Sequence, residues 1–139
     1  MSDEGIGVFL VERLSAAAGD YPNVEFIDAG TGGMAILHLI ADAKKAILID
    51  CAFMDTPPGT IRKFSPRNVK SVKQLAHRSL HEADILSVID LAKRLGQCPQ
   101  EIVIFGIEPE TVEPGQILSE TLSARVEDYL AVIREELDR

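Results

Sequence analysis

Apolar positions along the chain switch between a helical period and short unbroken runs. Val8, Leu10, Val11 and Leu14 recur at near-helical spacing, and Gly19 follows as a stop signal, which predicts a helix over residues 5–18. Val24–Asp28 is a short run between Pro22 and the Gly30–Gly33 cluster and predicts a strand. Residues 34–43 read as a second helix. Ala46–Asp50 (AILID) is continuously apolar and ends in an acid, the pattern of a strand buried on both faces of a parallel sheet. Pro57, Pro58 and Gly59 predict a turn, and Thr60–Phe64 an edge strand. Residues 66–78 are rich in Lys, Arg and Ser and read as irregular. A helix is predicted over Leu80–Leu95 with Gly96 as its stop, then a buried strand at Ile102–Ile107, then a loop over 108–115 with two prolines. Ser119 opens a last amphipathic helix whose apolar face carries Leu122, Val126, Tyr129, Leu130 and Ile133.

This alternation predicts a single α/β domain over residues 1–139. It would be a three-layer α/β/α sandwich around a mostly parallel twisted sheet, of the phosphorylase/hydrolase-like kind. One feature departs from the usual order. Such a domain normally opens with a strand, whereas here the first helix follows directly on Asp3-Glu4-Gly5. The expectation is that a first strand is missing.

Composition narrows the choice of partner. With 139 residues and 46% hydrophobic content the chain can bury a real core. A formal net charge of −8 repels phosphate backbones and argues against nucleic acid. No apolar run approaches the roughly 18 residues needed to span a bilayer, and no basic-then-apolar leader opens the chain. The expectation is therefore a cytoplasmic protein with no membrane partner. Cys51 and Cys98 fit no metal or redox spacing; the sequence permits a disulfide between them, and two free buried thiols are the preferred reading.

Several polar residues stand where chemistry would need them. Asp50 sits at the carboxyl end of an apolar strand, where open α/β sheets form their ligand crevice, although an acid there can also simply cap the next turn. Asp28-Ala29-Gly30-Thr31-Gly32-Gly33 joins a strand to a helix. Its glycines let a backbone approach closely, and N–H groups at a helix start bind an anion or a peptide carbonyl. A tight turn without a ligand reads equally well, and the segment is neither GxGxxG nor a Walker A loop. His81 lies near the start of the 80–95 helix, with His77 one helical turn earlier, a spacing that can chelate a metal but also arises by chance. His38 reads as a structural or surface residue. Asp3 and Glu4 precede a helix, where a carboxylate gains about 0.3–1 kcal/mol from the helix dipole, so both can be plain dipole partners. A set of Glu, Asp and His suits Ni²⁺, Zn²⁺ or Mn²⁺ better than thiophilic ions.

Taken in order, six segments spanning essentially the whole chain resemble the [NiFe]-hydrogenase maturation proteases. They are Asp3-Glu4-Gly5-Ile6-Gly7-Val8, Asp28-Ala29-Gly30-Thr31-Gly32-Gly33, Ile47-Leu48-Ile49-Asp50, Pro58-Gly59-Thr60, Ser79-Leu80-His81 and Gly106-Ile107-Glu108-Pro109. The resemblance implies an aspartyl-type endopeptidase that removes the C-terminal extension of the hydrogenase large-subunit precursor after nickel insertion. It implies Glu4, Asp50 and His81 as metal-contacting residues, with His77 contesting the place of His81. Nickel would be carried by the substrate rather than bound tightly by the enzyme. Asp50 or Glu4 would act as general base, and Asp28, Gly30, Thr31, Gly32 and Gly33 would hold the substrate backbone or an oxyanion. Members of that family begin with a strand and a G-N-x-L turn, neither of which is present here. The resemblance places that strand between those expected at 24–28 and 46–50, and its loss would expose a sheet edge through which the chain could self-associate. The alternative is a maturation module that binds nickel or the large subunit without cleaving. A flavodoxin-like small-ligand domain is a third reading, weakened because the 28–33 loop has no basic residue.

Overall fold

The computed structural model describes residues 3–27, 33–65, 85–110 and 118–139. Three strands form the sheet: β1 (Lys45–Cys51), β2 (Ile61–Phe64) and β3 (Glu101–Ile107), in the order β1-β3-β2. β3 is central, and Ile102 to Ile107 are all buried, as its unbroken apolar run requires. β1 lies parallel to β3 with Asp50 beside Gly106; β2 is the antiparallel edge strand, with Ile61 beside Ile107. Among the described residues the sheet is therefore mixed, with one parallel and one antiparallel pairing, where a mostly parallel one was expected.

Alternation along the strands feeds two cores, which gives the expected three layers. Ala46, Leu48, Ile102 and Ile104 face α2 (Gly33–Ile40) and α3 (Ile85–Arg94), meeting Leu37, Ile40, Ile89 and Ala92. Ile47, Ile49, Cys51, Val103, Phe105 and Ile107 face the other way. They meet α1 (Ile6–Ser15), α4 (Glu120–Ala124) and α5 (Val126–Leu137) through Ile6, Leu10, Leu14, Leu122, Val126, Tyr129, Leu130 and Ile133. Each of these aliphatic side chains contributes about 1.5–3 kcal/mol by leaving water. Cys51 and Cys98 are thiols, the first buried and the second half-buried. No helix among the described residues is long and apolar enough to cross a membrane.

The helix boundaries follow from local chemistry. The Ser119 side chain accepts the N–H of Leu122 at 3.3 Å and caps α4. The expected single last helix is divided at Arg125, whose φ of −108° and ψ of 4° are not helical, yet all five predicted apolar residues are buried. Gly96, at φ +70°, ends α3 in a Schellman turn: Gln97 N–H reaches Ala92 O at 2.9 Å and Gly96 N–H reaches Lys93 O at 3.2 Å. The first helix is shorter than its pattern. A 3₁₀ turn at Asp3–Gly5 precedes α1, which ends at Ser15, and Gly19 lies in a second 3₁₀ turn at Ala18–Asp20.

The strand expected at 24–28 is not formed over residues 24–27, and Asp28 lies outside the described residues. An apolar run becomes a strand only when a ladder partner takes its N–H and C=O groups. Among the described residues β1 pairs through β3 alone, and no strand lies beside 24–27. Side chains hold this stretch instead: Phe26 packs on the core and meets Tyr21 edge to face at 6.4 Å between ring centres. The irregular segment expected at 66–78 and residues 80–84 of the third helix also lie outside the described residues.

At the N-terminal end of β1 an ion cluster ties the layers together. Glu136 of α5 is 3% exposed and accepts Lys45 Nζ at 2.6 Å and Lys63 Nζ at 2.5 Å. Burial alone would raise its carboxyl, but the hydrogen bonds and charges of the two lysines outweigh burial and hold it below its ordinary value of 4.5.

Candidate active site

Asp50 is the penultimate residue of β1, and alternation fixes its direction. Ala46, Leu48 and Ala52 lie in the core beneath α2 and α3, so Asp50 is on that face, at the carboxyl end of the strand. It is 6% exposed, and its Oδ1 accepts the N–H of Cys51 at 2.9 Å. A carboxylate so deep in the fold needs such donors to offset lost hydration. Its neighbour across the ladder, Gly106, has no side chain, and a Cβ there would stand 2.9 Å from Met54 Sδ and 3.4 Å from Phe64 Cε2. Met54 therefore lies over the strand next to Asp50.

The connections bring the other candidate segments to this end. A short turn joins α2 to β1 and another joins α3 to β3, so both helices run against the parallel pair. Their N-terminal ends lie at the carboxyl ends of the strands, on the face of Asp50, the place where open α/β sheets bind ligands. Gly33, the first residue of α2, is thus at the Asp50 end. Asp28, Gly30, Thr31 and Gly32, which lead into it, lie outside the described residues, as do His81 and His77, which precede α3.

The Asp3–Gly5 turn, which carries Glu4, reaches the same end from the opposite layer and packs on β1. Gly7 makes this possible: a Cβ there would lie 2.7 Å from the carbonyl oxygen of Ile49, the residue before Asp50. Of the three expected metal-contacting residues, the backbone of Glu4 and the side chain of Asp50 share one end of β1, and His81 is not described. Among the described residues no three His, Cys, Asp or Glu side chains converge to hold a metal ion.

Three buried polar residues frame this end and were not assigned such roles from sequence. Asp3 is not a dipole partner at the surface. It is fully buried, with Oδ1 accepting Ser119 N–H at 2.7 Å and Oδ2 accepting Glu110 N–H at 2.8 Å. Glu108 is 5% exposed, and its Oε1 accepts Met54 N–H at 2.6 Å, Thr56 N–H at 3.3 Å and Thr56 Oγ1–H at 3.0 Å. Tyr129 donates its buried hydroxyl to Gly59 O at 2.6 Å. Burial raises the Tyr129 phenol to about 12; Asp3, Asp128 and Cys51 add to the shift, and the Arg125 charge opposes it. The strand pattern did contain one signal for Glu108, because continuing the alternation of Ile102, Ile104 and Gly106 puts residue 108 on the inner face.

Comparisons with known proteins bear on the family and the fold. The family model for hydrogenase maturation proteases, HycI, matches residues 8–136. The hydrogenase expression/formation protein HoxM of Cupriavidus necator is 34% identical over 128 residues, a match that covers 91% of this chain and 63% of HoxM. The chain thus spans just under two thirds of that relative's length. The hydrogenase 2 maturation protease of Escherichia coli is 31% identical over 144 residues, covering 97% of this chain and 85% of the relative. The solved structure of the hydrogenase maturating endopeptidase HybD from E. coli aligns with a TM-score of 0.79 at 28% identity, covering 98% of this chain and 86% of HybD. With a matching family model over nearly its whole length and the same fold, the chain belongs to the hydrogenase maturation protease family.

Proposed function

We propose that this chain is an endopeptidase that removes the C-terminal extension of a [NiFe]-hydrogenase large-subunit precursor once nickel has been inserted. Family membership supports the class of reaction. The observation that carries the site is Asp50, a buried carboxylate at the carboxyl end of β1 where the Glu4 turn and the N-terminal ends of α2 and α3 converge.

In this reading nickel belongs to the substrate. Glu4, Asp50 and His81 complete the coordination of an ion already held by the precursor, so that only loaded precursor is cut. The substrate-borne ion polarises the scissile carbonyl or holds it beside a water molecule. Asp50 or Glu4 takes a proton from that water as its oxygen bonds to the carbonyl carbon. The C–N bond then breaks, and the proton passes to the leaving amine. N–H groups of the segment Asp28–Gly33, which includes Gly30, Thr31 and Gly32, receive the developing oxyanion or the substrate backbone. The reaction takes place in the cytoplasm. Among the described residues β1 pairs with β3 alone, and self-association through its other edge is the partner reading that light scattering of the purified chain tests; a stable monomer counts against it.

The test is incubation with nickel-loaded precursor, followed by intact-mass measurement. Loss of a C-terminal peptide that depends on nickel is the expected result, with Asp50→Asn and His81→Ala each folded but inactive. Stable binding of the precursor without cleavage would reassign the chain as a binding module. Processing by either variant would reject the residue assignment.

A further inference from the structure

We propose that Glu108 is a positioning residue of this site: its Oε1 holds the segment after β1, and with it the Met54 side chain, against the Asp50 end of the sheet. The inference rests on the endopeptidase reading of Asp50. The segment 52–60 departs from Asp50 and Cys51 directly and is anchored to Ile107 and Glu108 along its length. Ala52 N–H donates to Ile107 O at 3.0 Å, Gly59 N–H to Glu108 O at 2.8 Å, and Glu108 N–H to Thr60 O at 2.9 Å. Those backbone bonds fix the two ends of the segment. Its middle depends on the Glu108 side chain, whose single oxygen Oε1 receives Met54 N–H, Thr56 N–H and Thr56 Oγ1–H.

Two details show what this anchoring achieves. Asp55, between the two bonded N–H groups, has φ +58°, a left-handed turn conformation that Asp adopts more readily than most non-glycine residues and that places Met54 and Thr56 N–H toward the same oxygen. Met54 is thereby held with its sulfur over Gly106, the ladder neighbour of Asp50. Glu108 thus acts on the reacting end of β1 through Met54 and the 52–60 segment rather than by touching substrate.

The geometry separates position from charge. Because Oε1 takes all three donors, the amide oxygen of Glu108→Gln can replace it, whereas Glu108→Ala releases the segment. A displacement on the order of 1 Å near a reacting group can lower turnover about 100-fold. For nickel-loaded precursor, Glu108→Gln is expected to keep kcat and KM within about twofold of the unmodified chain. Glu108→Ala should lower kcat by roughly 10–100-fold, with KM changed less than about threefold. Native-state hydrogen exchange, which needs no activity, should show Met54 and Thr56 amides exchanging at least about tenfold faster in Glu108→Ala and unchanged in Glu108→Gln.

Circular dichroism at the assay temperature confirms that the variants are folded. Unchanged kcat in folded Glu108→Ala overturns the proposal, as does unchanged exchange at both amides. A Glu108→Gln variant as slow as Glu108→Ala also overturns it, because the charge would then matter and not the position. If the unmodified chain fails to cleave while the exchange pattern holds, the endopeptidase reading falls and the anchoring of the segment stands.

Discussion

Replacing Gly7 by alanine sets two opposed effects against each other. In an exposed helix the change would gain about 1 kcal/mol, because glycine is the poorer helix former. Gly7 is not exposed to open space. Its added Cβ would lie 2.7 Å from the carbonyl oxygen of Ile49 and 3.4 Å from the carbonyl carbon. The obstacle is main chain in the middle of a sheet layer, so it cannot swing aside as a side-chain tip would. The N-terminal end of α1 must lift by several tenths of an ångström. Overpacking costs about 1–3 kcal/mol, and a 2.7 Å approach to main chain falls in the upper part of that range, about 2–3 kcal/mol, so the propensity gain still leaves a net loss of about 1–2 kcal/mol. For a domain of this size the melting temperature should fall by roughly 3–8 °C. Gly19→Ala is the control, since nothing stands within 4 Å of its Cβ; it should be neutral or stabilising. The lift also carries the Asp3–Gly5 turn away from Asp50, so under the proposed function processing of nickel-loaded precursor should fall about tenfold even where Gly7→Ala is fully folded. Thermal unfolding of the two alanine variants side by side decides the matter. A Gly7→Ala protein as stable as Gly19→Ala would refute the close approach of α1 to β1.

Three further outcomes follow from the buried polar groups. Asp3→Ala strands the N–H groups of Glu110 and Ser119 at about 1–3 kcal/mol each, so urea unfolding should show a loss of about 2–6 kcal/mol; a loss under about 1 kcal/mol contradicts the staple. The raised phenol of Tyr129 gives stability that is complete below its ordinary value of 10.0 and is lost as pH rises toward about 12. Unfolding free energy should therefore drop across that window in the native chain and stay flatter in Tyr129→Phe, and equal slopes would discount the burial-raised phenol. For Glu136 the sign is opposite: its lowered carboxyl stabilises above its ordinary 4.5, and this is lost as pH falls below that value. Glu136→Gln should lose on the order of 2–3 kcal/mol at neutral pH, less than a fully buried pair because both ammonium groups reach solvent, and should show a shallower acid slope. An acid slope equal to that of the native chain would rule out the lysine cluster as its cause.

Much of the fold was legible because it rests on local rules. Gly96 and Ser119 marked the ends they occupy, since a left-handed C-cap and a hydroxyl N-cap are properties of single residues. The apolar runs at 46–50 and 102–107 became adjacent parallel strands because each can be buried from both sides. The run at 24–28, short and ending in Asp like the run at 46–50, forms no strand over 24–27. A strand is a statement about a partner as much as about its own residues, and the pattern of one segment says nothing about whether a ladder lies beside it. The division of the last helix at Arg125 was hidden for a related reason: the apolar stripe from Leu122 to Ile133 keeps its spacing across the break.

The site divides along the same line. Asp50 could be read from sequence because the apolar strand before it fixes where it must end up. Asp3 and Glu108 could not, because an acid beside a helix start or after a strand looks identical whether it faces water or main-chain donors. Their roles depend on N–H groups at Glu110 and Ser119, and at Met54 and Thr56, that only the folded chain brings within 3.3 Å. Both residues tie a segment at the carboxyl end of the sheet to another part of the chain, one behind Glu4 and one behind Asp50. In the proposed reading, a peptidase that acts only on a metal-loaded partner has to hold its ligands in place before that partner arrives, since ordering them afterwards would draw on the binding energy that discriminates loaded from empty precursor. In that reading the two buried carboxylates would supply that rigidity from within the chain. The proposed reading therefore requires Asp3→Ala to weaken discrimination by nickel, and not merely the rate, when loaded and nickel-free precursors are compared under conditions where the variant is folded.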